Sequence, residues 1–421
     1  MTINELIKIV NGISIIDSEE IIKDIKTDTR KINEGDIFIA LKGEKYDGHD
    51  YIDEAINKGC IACIVEDNID NDKCIKVEST YKCLFDIGKY LRNKYDIPLI
   101  AITGSNGKTT TKELIINILK SKYDVLYNKD SKNNLIGVSD TLFMLNDKHE
   151  IIVMELGTNH TGEIKELSSM CFPNTSIITN IGTSHIGYFK TRKNIFKEKI
   201  SIGKDNLIVC GDDKYLKKLD AYKCGLNKNN NLIAYNIYED IDNITFNIYL
   251  DKEYKIKFNN PGKHFISDIL LAIKVCLDYK IDIETIIDRI STFKLINKRM
   301  TILKEVNNVI INDCYNASLE SIRSGINYMN NIKEDKVFII GDILELGKHS
   351  KKIHKKINKL LKGEFVYTVG NYSKYIKGIH FNSVDDLIEY LKKNKIDNKY
   401  IYIKGSRRMN LDKVVKYLCK K

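Results

Sequence analysis

The sequence predicts an α/β protein of three domains: a small N-terminal α/β unit, a central parallel-sheet unit with a P-loop-type turn, and a C-terminal Rossmann-like unit. Three observations carry that prediction. The chain has 421 residues, more than one hydrophobic core organises. Continuous apolar runs alternate with helical patterns, the mark of a parallel sheet covered on both faces. One of those runs leads straight into a glycine turn and a helix, in ITGSNGKTTTKE at residues 102–113.

The elements follow in chain order. MTINELIKIVNG (1–12) is an amphipathic helix pattern. It mixes acidic and basic residues and lacks the basic and apolar regions of a secretory signal. No apolar run reaches the ~18 residues that span a bilayer. A cytoplasmic address without stable membrane association is the expectation. DIFIAL (36–41) and CIACIVE (60–66) read as strands, and YIDEAINKG (51–59) as a helix closed by Gly59. They define a first domain at residues 1–82. After a helical run at 81–95 come the strands LIAIT (99–103), IIVMEL (151–156), TSIITN (175–180) and NLIVCG (206–211). These belong to a central domain, residues 83–298. The third domain, 299–421, has strands at NVIINDCY (308–315), KVFIIGD (336–342), EFVYTVG (364–370) and YIYIKGS (400–406). No fixed-period repeat or low-complexity linker interrupts the chain.

Composition narrows the function. The chain is 43% hydrophobic and 29% charged, as ordinary globular proteins are. Its net charge of +10 is scattered among acidic residues along every segment. A nucleic-acid binder gathers such charge into a basic stripe with aromatic platforms; the scatter reads as a solvated surface and is compatible with polyanionic small-molecule substrates. There are 10 cysteines, which a cytosolic chain keeps reduced. Cys60 and Cys63 have redox or zinc spacing, but no second pair or nearby His completes a metal site. They read as small apolar residues entering a buried strand.

The glycine turn departs from the usual phosphate loop. G-x-x-x-x-G-K-[ST] would place a glycine at position 102; Ile102 stands there, and the glycine is Gly104. The strand–turn–helix context is still that of a phosphate site. Turn N–H groups and the helix dipole face an anion, Lys108 reaches the β- and γ-phosphates, and Thr109 offers a hydroxyl to Mg²⁺. Glu155 ends a buried strand, where a carboxylate needs a partner or a metal. His185 lies five residues past Asn180 at a third strand end, and Lys199 follows in NIFKEKISI.

TGSNGKTTTKE, NNLIGVS, ELGTNHTGEI, TNIGTSHIGYF, NDCYNASLES, GDILELG and KGSR occur in this order. Together they resemble the Mur ligases of peptidoglycan synthesis, over nearly the whole chain. The short G-x-x-G-K-T-T loop is that family's form, and TDTRKINEGDIFIALKGEKYDGHDYIDEA resembles its N-terminal nucleotide-sugar-binding domain. SNGKTTTKE, DCYNA and GDILELG are similar to the members that add D-alanyl-D-alanine. The D-N-P-R motif of diaminopimelate-adding members is absent. Folylpolyglutamate synthases share the loop but lack the D-T-R, D-G-H-D and DCYNA segments.

The resemblance implies ATP-dependent amide formation between UDP-N-acetylmuramoyl-tripeptide and D-Ala-D-Ala through an acyl phosphate. The expected partners are these small molecules, with no nucleic acid and a monomeric chain. It implies two Mg²⁺ ions, ligated by Thr109 and Glu155 and by His185 and Lys199, the last as a carbamate formed with CO₂. It implies ATP binding by Thr103, Gly104, Ser105, Asn106, Gly107, Lys108, Thr109 and Thr110, with Asn134, His264, Arg299 and Asp313. Lys108, Glu155, His185, Lys199 and Arg299 are the implied catalytic set. Asp28, Thr29 and Arg30 would meet the uridine diphosphate, Asn159 and His160 the muramoyl peptide, and Tyr315 and Asn316 belong to the remaining substrate motif. Closure about a hinge near Lys298 would bring Arg299 and Asp313 to the nucleotide. The chain departs from the family pattern at Ser139, Ser201, Phe265, Asp268, Ser318 and Leu319. Two neighbouring readings stay open: a family member adding a different amine, and a catalytically silent nucleotide-sugar-binding paralogue.

Overall fold

The computed structural model describes residues 1–43, 45–295, 298–361 and 363–419. Its first sheet is parallel, with strands Ile25–Lys26, Ile37–Ile39, Ala62–Val65 and Cys74–Lys76 in sequential order. Ile37–Ile39 and Ala62–Val65 are buried at every residue, which is why their apolar runs show no alternation. Cys60, Cys63 and Cys74 pack here with Phe38 and Val65. The Cys60 thiol donates to the Ala62 carbonyl at 2.9 Å and lies 3.9 Å from the Cys63 sulfur, so the C-x-x-C pair is core. Helix Ile3–Val10 is started by a Thr2–Glu5 capping box and ended by Asn11 in the left-handed region. It packs on helix Thr80–Lys94, which also contacts helices Leu135–Phe143 and Glu163–Cys171.

The second sheet has seven parallel strands. Their order is Leu232–Ile233, Tyr222–Gly225, Leu207–Cys210, Thr175–Ile178, Leu99–Thr103, Ile151–Glu155 and Val125–Tyr127. Leu99–Thr103 comes first in the chain yet lies inside the sheet, between Ile151–Glu155 and Thr175–Ile178. Connections therefore diverge from it to both sides, and a crevice opens at its carboxyl end, the place where such sheets bind ligands.

A three-stranded antiparallel sheet follows, Tyr235–Glu239, Ile244–Tyr249 and Glu253–Phe258. Ile244, Phe246 and Ile248 face inward with Tyr254, Ile256 and Phe258, over helix Ile283–Thr292. The sequence reading passed over this sheet, although ITFNIY and EYKIKF alternate with period two.

The last sheet has six strands: Thr301–Lys304, Asn308–Asn312, Lys399–Lys404, Lys336–Gly341, Phe365–Val369 and Ile379–Phe381. Only the first pair is antiparallel. The fold class is thus the expected one, α/β with parallel sheets, and the edge strands Thr301–Lys304 and Ile379–Phe381 are additions to it. Among the described residues no helix is long and apolar enough to cross a membrane.

Candidate active site

The glycine turn links strand Leu99–Thr103 to helix Lys108–Leu119. Gly107 holds φ 82°, and a Cβ there would collide with the Asp268 carboxylate; both facts require glycine. The turn is bonded to the neighbouring strand end. Ser105 N–H donates to the Asn180 carbonyl and Asn106 N–H to Asn180 Oδ1, each at 3.0 Å. Thr179 donates its hydroxyl to the Asn106 carbonyl at 2.5 Å, and Thr103 donates to the Leu156 carbonyl at 2.9 Å. The first helical bond runs from Thr111 N–H to Gly107 O. The N–H groups of Lys108, Thr109 and Thr110 precede it and remain as donors at the helix N-terminus.

Behind the turn is a buried polar network. Glu155, 2% exposed, accepts from the Thr109 hydroxyl and from Asn133 Nδ2, both at 2.8 Å. Its main chain is clamped by Asn128, which accepts from Glu155 N–H at 2.9 Å and donates to its carbonyl at 2.8 Å. The Asn128 carbonyl accepts from the buried Lys112 ammonium at 2.5 Å. Lys199 is also buried. Burial and the neighbouring Lys108 charge push its pKa well down, against the opposing pull of Glu198 and Glu155. Burial lowers Lys108 as well, with Arg299 adding to the effect and Glu155 and Glu345 opposing it; its ammonium donates to the Gly104 carbonyl at 3.0 Å.

The C-terminal sheet supplies the opposite wall of a cavity of about 960 Å³. Arg299 stacks 3.8 Å above the Tyr315 ring, with Arg407 at 5.5 Å. Arg299 Nε and Asn106 Nδ2 are buried with no hydrogen-bond partner among the described residues, and both residues line the cavity. Asp313 accepts from Lys404 at 2.6 Å and from the Tyr402 hydroxyl at 2.9 Å. Asn316 accepts from the Ala317 N–H at 2.9 Å. Lys298 and Met300 both have left-handed φ, 71° and 52°.

Among the described residues four side-chain contacts cross the cleft, the longest from Arg407 Nη1 to Ser131 Oγ at 3.5 Å. Ser318 donates to Asn106 Oδ1 at 2.9 Å. Glu320 accepts from the Thr183 hydroxyl at 2.8 Å. Glu345 lies 2.8 Å from His185 Nδ1; this pair holds the Glu345 carboxyl below its usual range.

The cleft therefore gathers Ser105 to Thr110 of the loop, but not Gly104, together with Glu155, His185, Arg299, Asp313, Tyr315, Asn316, His264, Asn134 and Asn159. Lys199 and Thr103 stand behind its surface. Asn134 caps helix Leu135–Phe143 by accepting from Gly137 N–H, whereas its neighbour Asn133 touches Glu155. His160 is exposed; its ring pairs with Glu163 at 3.1 Å and meets Tyr188 edge-on at 4.6 Å. Asp28, Thr29 and Arg30 do not line this cavity. They form a turn on the first sheet, in which Asp28 binds Arg30 at 2.8 and 2.9 Å and Thr29 is buried.

The departures have local explanations. Ser139 is buried within its helix. Ser201 donates back to the Glu198 carbonyl at 2.5 Å. The buried carboxylate beside Lys199 comes instead from Glu198, which accepts from the Gly162 and Ile164 N–H groups at 2.7 and 2.9 Å. Phe265 packs on Phe258, ring centroids 5.5 Å apart. Ser318 starts helix Leu319–Met329 through a capping box with Ser321, and Leu319 is buried. Asp268 is buried against the glycine turn at Gly107; burial raises its pKa to about 8, while Thr111 and Arg299 pull it down. Sequence reasoning missed Lys112, Asn128, Asn133, Glu320 and Glu345. The two-residue run Asn133–Asn134 and the GDILELG segment were the signals available for two of them.

Comparison with known proteins gives a consistent result. Residues 21–82 match the model described as Mur ligase family, catalytic domain; 102–276 match the Mur ligase middle domain; 298–407 match the Mur ligase, glutamate ligase domain. The UDP-N-acetylmuramoyl-tripeptide--D-alanyl-D-alanine ligase of Buchnera aphidicola subsp. Baizongia pistaciae is 34% identical, over 95% of this chain and 93% of its own. The ligase of that name from Bacillus subtilis is 30% identical, over 95% and 94%. The crystal structure of MurF from Acinetobacter baumannii superposes with a TM-score of 0.91 at 27% identity, over 100% of this chain and 99% of that one.

Proposed function

The chain belongs to the Mur ligase family, and from that premise we propose that it joins D-alanyl-D-alanine to UDP-N-acetylmuramoyl-tripeptide. The product is the UDP-N-acetylmuramoyl-pentapeptide of peptidoglycan synthesis. The reaction is ATP-dependent. The terminal carboxylate of the tripeptide takes the γ-phosphoryl group and ADP leaves. The dipeptide amine then attacks the acyl phosphate, loses a proton, and expels phosphate as the amide bond forms.

One observation carries the reading. A buried carboxylate, Glu155, is bonded to the Thr109 hydroxyl at the mouth of a glycine turn whose helix N-terminus offers free N–H donors. Thr109 and Glu155 form an oxygen donor set suited to a hard cation. Lys199 as an ammonium would not suit a cation, but burial and Lys108 favour its neutral amine. That amine is the form that adds CO₂: an N–C bond forms, a proton leaves, and an anionic carbamate results. His185 completes the second set. Two Mg²⁺ ions held there would neutralise the repulsion between the γ-phosphate and the incoming carboxylate.

The chain's own groups do the rest. Gly104 to Thr110 and Lys108 hold the phosphates, and Arg299 Nε, unpartnered among the described residues, suits the γ-phosphate from the opposite wall. Asp313, Asn134 and His264 serve the remainder of ATP, with Thr103 supporting the loop. Asn159 and His160 face the muramoyl peptide, Tyr315 and Asn316 the incoming dipeptide, and Asp28, Thr29 and Arg30 the uridine diphosphate. The working division is 1–82 for the nucleotide sugar, 83–298 for ATP and 299–421 for closure and dipeptide, in a cytoplasmic monomer.

The test is product mass. The protein is mixed with ATP, Mg²⁺, bicarbonate and UDP-N-acetylmuramoyl-tripeptide, with and without D-Ala-D-Ala. ADP plus a species heavier by one dehydrated dipeptide, formed only with the dipeptide present, is expected. Thermal stabilisation by the nucleotide sugar with no such product would overturn the ligase reading in favour of a silent paralogue.

A further inference from the structure

Glu345 occupies the loop between strand Lys336–Gly341 and helix Ser350–Ile357. That loop is fixed from several sides. Asp342, 2% exposed, accepts N–H groups from Asn371, Tyr372 and Ser373. Fully buried His354 accepts the Ile343 N–H at 3.0 Å through Nε2, and its Nδ1 bonds to the Ser350 carbonyl at 2.8 Å. The Leu344 N–H donates to Ser406 at 2.9 Å. Glu345 follows with a left-handed φ of 65°. A loop so restrained presents its next side chain in one direction.

That side chain meets His185, which sits on the other wall with φ 58°. Two contacts form at once. The Glu345 carbonyl accepts the Gly187 N–H at 3.0 Å, and the carboxylate lies 2.8 Å from His185 Nδ1. The approach is close: a Cβ on Gly187 would stand 2.6 Å from the Glu345 carbonyl oxygen and 2.7 Å from Gly347 N. With Nδ1 engaged as a donor, Nε2 is the ring nitrogen left with a lone pair. An imidazole that ligates a metal works in this way, its second nitrogen donating to a carboxylate that fixes tautomer and ring angle. Here the carboxylate belongs to the opposite wall. The His185 and Glu345 side chains are 27% and 55% exposed, and ion pairs so open to water contribute little to stability. Orientation is the stronger use of the pair.

We infer that Glu345 is a closure-dependent positioning residue: when the two walls meet, it fixes His185 with Nε2 free, so that domain closure itself completes the second cation site. This rests on the assignment of His185 as a ligand under the proposed function. The metal site then forms only around a loaded, closed cleft, which couples substrate capture to readiness for phosphoryl transfer.

The test uses the full-length chain with a non-hydrolysable ATP analogue, UDP-N-acetylmuramoyl-tripeptide, bicarbonate and Mn²⁺, read by paramagnetic resonance, and the His185 tautomer read by ¹⁵N NMR with Mg²⁺ in place of Mn²⁺. Glu345→Asn shortens the side chain while tolerating the left-handed backbone; Glu345→Gln keeps the reach and can accept from Nδ1. The wild type is expected to bind two Mn²⁺ ions. Glu345→Asn should bind the first normally and the second at least ~10-fold more weakly, with a mixed His185 tautomer, and Glu345→Gln should restore both. Unchanged second-ion affinity in Glu345→Asn overturns the inference, as does Glu345→Gln behaving like Glu345→Asn, which would make charge rather than orientation the cause. A wild type that makes the pentapeptide with one bound ion overturns this inference and leaves the ligase reading. Two bound ions, the expected variant pattern and no product would leave this inference standing and overturn the ligase reading.

Discussion

On the central wall of the cleft the network around Glu155 is buried and bonded within that wall, whereas on the C-terminal wall Asp313 is held in this way but Glu345, Ser318 and Glu320 reach across the gap. Glu155 spends its carboxylate on Thr109 and Asn133, and Asn128 and Lys112 brace its backbone. Opposite it, Glu345, Ser318 and Glu320 bond to the other wall, and Arg299 Nε has no acceptor among the described residues. The difference separates two tasks. A prebonded wall holds its geometry before any ligand arrives, as electrostatic catalysis requires. A wall whose bonds cross the gap gains them only on closing, and so can admit substrates of the size this reaction needs.

The comparison breaks most visibly at Lys108. Lys108→Ala should lower kcat by about 10³-fold, the scale of losing one preorganised charge at a reacting group, while leaving the folded chain intact, since among the described residues its ammonium bonds only to the Gly104 carbonyl. Steady-state ADP release together with a thermal melt would decide this; a melt collapsing along with activity would make Lys108 structural. Arg299→Ala should act differently. A group that meets the nucleotide only on closing should cost about 10²-fold in turnover and move ATP affinity less than about 3-fold. Equal losses in turnover and affinity would place Arg299 with the prebonded wall.

The same contrast explains what the sequence made legible. Fully buried strands write themselves as apolar runs, so Leu99–Thr103, Ile151–Glu155 and Thr175–Ile178 could be read directly, and with them the loop and the Glu155 strand end. The supports could not. Lys112 reaches the carbonyl of Asn128, 16 residues on, and Asn128 reaches Glu155 after another 27. Glu345 meets His185 from 160 residues further along the chain. Side chain to main chain bonds at such separations leave no local period. The antiparallel sheet at Ile244–Phe258 did leave one, and was hidden only by the expectation of a parallel region.

Asp268 sharpens the comparison from within the central wall, as a carboxyl that is buried there without a cation bonded to it. Its pKa is raised to about 8 by burial. An acid whose folded pKa exceeds its unfolded one binds more protons when folded, so stability is fullest below about pH 4 and falls as pH rises toward 8. Asp268→Asn removes that titration and should flatten the stability-versus-pH slope between these limits. The gain at pH 8 should be about 2 kcal/mol, less than the full linkage value because the cleft admits water. Urea melts at pH 5 and pH 8 on both proteins measure it; parallel slopes would show that Asp268 titrates normally.

The smallest expected effect, at Ser318, tests whether a single residue can serve both walls. Its hydroxyl caps helix Leu319–Met329, accepting from Ser321 N–H at 3.1 Å, and donates across the cleft to Asn106 at 2.9 Å. Ser318→Ala removes both bonds and should destabilise the chain by about 1 kcal/mol, the usual worth of an N-cap. Asparagine caps as well as serine does, so Ser318→Asn should recover that stability. Turnover then separates the two roles. If Ser318→Asn recovers the melt but not the rate, the bond to Asn106 orders the phosphate loop upon closure, and the C-terminal wall acts on the loop as well as on the metal ligands. If rate follows stability in both variants, the contact is a by-product of the cap, and the closing wall does not act on the loop through Ser318.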